Sequence, residues 1–151
     1  MMHFEAATAT SQGARRYQED AAGFFPGARS VASLLAVLAD GMGGHAGGAT
    51  ASRLVLDTFM ECFNASGAAM PVRLGAALDA ANAAIAQIVS ETPGLSGMGS
   101  TLVGAAFGPD GLEWISVGDS PLYLYRRAEI ALLNEDHSLA PALDQLAAEG
   151  K

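Results

Sequence analysis

The chain has 151 residues, half of them apolar, and a formal charge of −8 from 16 acidic and 8 basic side chains. That length suits one domain with a sizeable core, and nothing in the composition suggests disorder. Thinly spread positive charge argues against nucleic acid or an anionic membrane as a partner.

The N-terminus does not read as a signal peptide, and no apolar run approaches the roughly 20 residues that span a bilayer, so the expectation is a soluble chain. One cysteine, Cys62, has no internal disulfide partner. It reads as a small buried hydrophobe in a reducing, cytoplasmic setting.

Alternation of Phe4, Ala6 and Thr8 with Glu5, Ala7 and Ala9 predicts a first strand, followed by a polar loop at Ser11-Gln12-Gly13. Residues 21–25 predict a second strand ending at Pro26-Gly27. The continuous apolar run 34–39 predicts a third, buried on both faces. From about Ala49 to Phe63 the period changes, and Val55, Leu56, Phe59, Cys62 and Phe63 mark one face of a helix.

Pro71 suits the first turn of a second helix, along which Leu74, Leu78, Ala81, Ile85 and Ile88 form a packing stripe. After Thr92-Pro93-Gly94, strands are expected over 100–107, 112–117, 122–125 and 130–133. Gly108-Pro109-Asp110-Gly111 signals a hairpin between the first two. A last helix is expected over about 139–149. Strands, two helices, more strands and a helix indicate an antiparallel α+β fold rather than a parallel nucleotide fold.

The chemistry concentrates in two acidic clusters at strand ends, Glu19-Asp20 and Asp40-Gly41. A carboxylate at a core edge is paired, hydrogen-bonded or bound to metal. The glycines after Asp40 allow a backbone carbonyl such as that of Gly41 to face an ion. Without a metal, the same run is a flexible turn. Carboxylates and a carbonyl favour Mg²⁺ or Mn²⁺ over zinc, which would call for cysteine and histidine.

Five motifs in order carry a resemblance: Arg15-Arg16-Tyr17-Gln18-Glu19-Asp20, Asp40-Gly41-Met42-Gly43-Gly44-His45, Gly97-Met98-Gly99-Ser100-Thr101-Leu102, Val117-Gly118-Asp119-Ser120 and Asp136-His137-Ser138. Together they resemble the metal-dependent protein phosphatase 2C family, from about Thr8 to Ser138.

The resemblance implies an antiparallel β-sandwich flanked by helices, in α-β-β-α layers, and a two-metal centre whose water attacks a phosphoryl group in line. Family members carry two further aspartates downstream that have no counterpart here. The expectation is therefore that residues 1–151 form the N-terminal portion of a single such catalytic domain, incomplete at its C-terminus.

By the same resemblance, Asp40 bridges the two ions and Gly41 offers its carbonyl. Glu19 and Asp20 are the acidic pair at that pole; which of them is a direct ligand stays open, and a solvated loop pair is the bland alternative. Arg15 matches the family's phosphate-binding arginine, a group that grips two phosphate oxygens at once. Arg16 could take that place if the loop is shifted, and a surface salt bridge is the third possibility.

His45 is the natural candidate for general acid to the leaving serine or threonine oxygen, against a helix-capping role. Asp119 resembles the residue of a third, weaker metal site, although Pro121 stands where the family usually has arginine. Gln18 replaces a commoner asparagine. Ser100-Thr101 reads as a strand start whose hydroxyls satisfy nearby backbone groups, and Asp136-His137-Ser138 as a helix cap.

Ser120 and Ser138 lie in no nucleophile elbow. The glycine run lacks the Gly-Lys-Ser/Thr ending of a P-loop.

The first expectation is a Mg²⁺- or Mn²⁺-dependent serine/threonine protein phosphatase acting on phosphoproteins, the counterpart of a serine/threonine kinase. A non-catalytic phosphoprotein-binding or regulatory module of the same fold is the alternative, and a metal scaffold that serves folding alone is a third. Uncovered sheet edges and apolar surface would favour self-association.

Overall fold

The computed structural model describes residues 4–26, 34–44, 47–138 and 140–148. Strands β1 (Asp20–Pro26) and β2 (Leu34–Met42) lead into helices α1 (Gly47–Ala65) and α2 (Met70–Glu91). A 3₁₀ turn at Pro93–Leu95 precedes β3 (Gly99–Ser100), β4 (Leu102–Gly108) and β5 (Gly111–Val117). Strands β6 (Tyr123–Arg126) and β7 (Glu129–Leu132) form a separate hairpin, and α3 (Ala140–Ala148) follows.

All pairing among these strands is antiparallel. The larger sheet runs β1-β2-β4-β5, with β3 on the end of β2. This is the α+β arrangement that the periodicities indicate, with the helix pair on one face of the larger sheet.

Alternation decides which side chains reach the helices. Leu35, Val37 and Ala39 of β2 are buried, as are Leu102 and Ala106 of β4, and all join one cluster with Val55, Leu56, Phe59 and Phe63 of α1. Phe59 is fully buried beneath Gly104, where a side chain would collide with its ring. Helix α2 adds Leu74, Ala77 and Ala81, with Leu78, Ile85 and Cys62 partly buried alongside.

Arg73 locks the two helices together. Its Nε and Nη2 donate to the Phe63 carbonyl at 2.9 and 2.8 Å, and its guanidinium stacks on the Phe63 ring at 3.9 Å. One side chain thus closes the C-terminal end of α1, whose last carbonyls lack helical partners.

Three expectations change. The predicted first strand is absent among the described residues: residues 4–10 pair with no described strand, and Phe4 instead packs its ring against Phe107 at 5.9 Å. Phe4 is half-buried while residues 5–10 are all exposed, so the alternation there marks no buried face.

Second, the turn expected to begin at Asp40 starts after Met42. Residues 40–42 remain extended because β3 pairs with Gly41 and Met42. Third, α2 is long and apolar enough by composition to cross a membrane, which a search for unbroken apolar runs overlooked. In this fold it packs on α1, with Leu74, Ala77 and Ala81 as its buried residues.

Candidate metal centre

Strand register builds the site. Pairing of β1 with β2 sets Asp20 directly opposite Asp40, at the end of the sheet nearest the start of α1. Like charges at opposed positions repel. Asp40 accordingly titrates above the usual carboxylate value. Loss of solvent around its carboxyl is the largest cause even though the residue is exposed as a whole, and Asp20, within hydrogen-bonding reach, is the next. Arg15 partly opposes the shift, and Asp119 adds to it. Four of the candidate side chains therefore share one electrostatic neighbourhood: Asp20, Asp40, Asp119 and Arg15.

The backbone around the pair is tightly placed. The Gly41 N–H donates to the Glu19 carbonyl at 3.1 Å. A β-carbon on Gly41 would overlap the Gly48 carbonyl of α1, so only glycine lets β2 pass that close to the helix. The Glu19 carboxylate and the Gly41 carbonyl oxygen both lie against Gly48.

Glu19 also faces Arg15 at 3.8 Å, so its carboxylate lies between the arginine and the start of α1. Gln12 holds the arginine loop, its Nε2 donating to the carbonyls of Arg15 and Arg16 at 2.8 and 2.9 Å. Gln18 donates to Asp20 Oδ2 at 3.0 Å and so orients that carboxylate.

Asp136 accepts the Ser138 N–H at 2.7 Å, which holds its carboxyl below the usual range. This bond closes a turn within the motif, ahead of α3. The neighbouring His137 N–H donates to the Gly118 carbonyl at 3.1 Å, tying that segment to the Gly-Asp-Ser turn. The general-acid candidate His45 lies outside the described residues.

No group of three or more His, Cys, Asp or Glu side chains is gathered for a metal among the described residues. What is gathered is an opposed carboxylate pair and a backbone carbonyl held by close glycine packing. That all-oxygen donor set fits a hard divalent cation, which would relieve the repulsion between Asp20 and Asp40. An open cleft beside Asp20 is lined by Gln18, Thr50, Arg53 and Ile88 among others.

Sequence reasoning missed the supporting shell. Gln12 read only as loop, and Gln18 only as a departure from the usual asparagine. Their roles depend on where the chain turns, which no residue spacing announces.

An acidic, oxygen-donor pole at the end of an antiparallel sheet backed by a helix pair is the class defined by this fold and site. The chain belongs to the protein phosphatase 2C family, whose model matches residues 12–141.

The serine/threonine protein phosphatase PstP of Mycobacterium tuberculosis is 38% identical over 120 residues, covering 79% of this chain and 22% of PstP. A solved catalytic domain of PstP in complex with two manganese ions matches with TM-score 0.74 at 35% identity, covering 88% of this chain and 55% of that one. Stp1 of Staphylococcus aureus matches with TM-score 0.80 at 28% identity, covering 97% and 61%. The chain therefore spans less than two thirds of the length of each of these relatives.

Proposed function

We propose that this chain carries the Arg15–Asp20–Asp40 pole of a metal-dependent serine/threonine protein phosphatase that hydrolyses phosphoserine and phosphothreonine in phosphoproteins. The observation that carries the reading is the opposed Asp20–Asp40 pair with Arg15 close enough to act on its charge.

Asp20, Asp40 and the Gly41 carbonyl would hold Mn²⁺ or Mg²⁺, with Glu19 and Asp119 flanking them. When bound, such ions supply positive charge at the phosphoryl oxygens and acidify water for attack. The chain's own residues do the rest. Arg15 grips two phosphoryl oxygens and aligns the ester, since a guanidinium presents paired donors in one plane. His45 delivers a proton to the departing serine or threonine oxygen as its bond to phosphorus breaks. No covalent link to the protein forms, so no serine nucleophile is required.

Manganese in the PstP domain supports the choice of metal, and a serine/threonine kinase acting on the same phosphoproteins is the implied counterpart. The test is Mn²⁺-dependent phosphate release from a phosphothreonine peptide, beside Asp40→Ala and a direct Mn²⁺ titration. Release that disappears in Asp40→Ala supports the reading. Mn²⁺ and peptide binding without release would instead assign a non-catalytic phosphoprotein-binding module, and no Mn²⁺ binding would overturn the metal centre.

A further inference from the structure

The hydroxyls of Thr101 and Ser120 join the acidic pole to a segment that is distant in sequence. Thr101 holds Asp40 by both backbone groups. Its Oγ1 accepts the Asp40 N–H at 3.0 Å, and its own N–H donates to the Asp40 carbonyl at 2.8 Å. Ser100 Oγ donates to the same carbonyl at 3.1 Å.

The Thr101 hydroxyl also lies 2.7 Å from Ser120 Oγ, and Ser120 is only 9% exposed. The Ser120 carbonyl accepts from Asn134 Nδ2 at 2.9 Å, while Asn134 Oδ1 accepts the Leu122 N–H at 2.7 Å. Asn134 is itself buried. Gly118, at φ +98°, seats the turn directly on Thr101, where a β-carbon would come within 2.7 Å of Thr101 Cγ2.

Ser120 is buried and Thr101 half-buried, so breaking the bond between their hydroxyls leaves a polar group unpaired where water reaches it poorly. The bonds end on the backbone of Asp40 at one side and on the residue after Asp119 at the other. They therefore tie together two backbone segments that carry carboxylates 79 positions apart in the chain.

We propose that Thr101, acting through Ser120, is a positioning residue for divalent-cation binding: it holds the Asp40 strand end and the Asp119 turn in register so that both carboxylates meet the cation site together. This rests on the reading of Asp40 as a cation ligand. Groups that orient metal ligands typically change metal affinity by about 10–100-fold when removed.

The experiment is Mn²⁺ titration of this chain, followed by loss of the free-Mn²⁺ electron paramagnetic resonance signal well below the melting temperature of every variant. Thr101→Val is expected to weaken binding about tenfold or more, and Thr101→Ser to restore it to within about threefold of the parent chain. Ser120→Ala is expected to weaken it by about threefold. The double variant Thr101→Val/Ser120→Ala should then bind no more weakly than Thr101→Val alone, because the relay is already broken.

Parent-like binding by Thr101→Val, or equal weakness of the Val and Ser variants, overturns the proposal. If Thr101→Val does not fold, Ser120→Ala decides, and unchanged binding there overturns it. A parent chain that binds no Mn²⁺ overturns the reading of Asp40 and this proposal together, whereas parent binding lost in Asp40→Ala upholds that reading whatever Thr101 does.

Discussion

Asp20 and Asp40 face each other across β1 and β2. Loss of solvent around the Asp40 carboxyl, and next the facing Asp20 charge, cost the cation-free chain stability, because they make Asp40 harder to ionise in the folded state than in the unfolded one. A raised carboxyl value means that the folded state binds more protons. Stability therefore falls as pH rises from the unfolded value through the folded one, and stays lowered above both.

Asp40→Asn removes that cost. In the presence of chelator at pH 7 it is expected to raise the melting temperature slightly, by about 1–2 °C, since solvent screening keeps the effect well below 1 kcal/mol. The gain should vanish below about pH 4, where the carboxyl is protonated in both states. Added Mn²⁺ should stabilise the parent chain and leave Asp40→Asn unmoved. Melting curves across pH, with and without Mn²⁺, check all three points.

The Arg15 guanidinium is exposed and, among the described residues, pairs only with Glu19 at 3.8 Å, a contact worth little to folding. Arg15→Ala should leave the melting temperature within about 1 °C of the parent. It should weaken binding of a phosphothreonine peptide in the presence of Mn²⁺ by about tenfold or more. Arg15→Lys should recover only part of that, because an ammonium cannot make the paired contact. Arg16→Ala should bind as the parent does. Fluorescence anisotropy with a labelled peptide separates the two arginines.

Gly41 and Gly44 belong to one motif but differ in their surroundings. A methyl on Gly41 would overlap the backbone of Gly48 and press on the Glu19 carbonyl, whereas a methyl on Gly44 meets nothing within 4 Å among the described residues. Gly41→Ala should lower stability by about 2 kcal/mol or more and abolish Mn²⁺ binding. Gly44→Ala should change stability by no more than about 0.5 kcal/mol. Denaturant unfolding of the two variants makes the comparison.

Arg73 anchors α2 to the end of α1 through two hydrogen bonds and a ring contact. Partial burial lowers its pKa from the ordinary arginine value. Arg73→Ala should cost about 1.5–3 kcal/mol, and Arg73→Lys should recover less than half of that, since one ammonium cannot both stack and donate twice. Urea midpoints at constant slope provide the measurement.

Much of this was legible from residue order. Apolar periodicity in Leu34–Ala39 and in Val55–Phe63 located a buried strand and a core helix, because burial on a fixed face imposes the period of the element. The motifs around Asp20 and Asp40 marked an acidic pole, since carboxylates at strand ends need partners. Phe4 misled because its alternation was read as a ladder, when backbone pairing depends on a neighbour that local spacing does not reveal. The continuation of β2 through Met42 was hidden for the same reason: β3, which pairs with it, lies more than fifty positions downstream.

By itself, the sequence determined which residue types stand at which strand ends, and hence the donor chemistry available: carboxylates, a carbonyl beside a required glycine and a nearby guanidinium. Only the tertiary structure decided that Asp20 stands opposite Asp40, that Gly48 closes on Gly41, and that Thr101 meets Ser120. Those relations come from register, and register follows from matching whole apolar faces between elements far apart in the chain. A shift of one residue in β2 would keep every motif intact and turn Asp40 to the opposite face of the sheet.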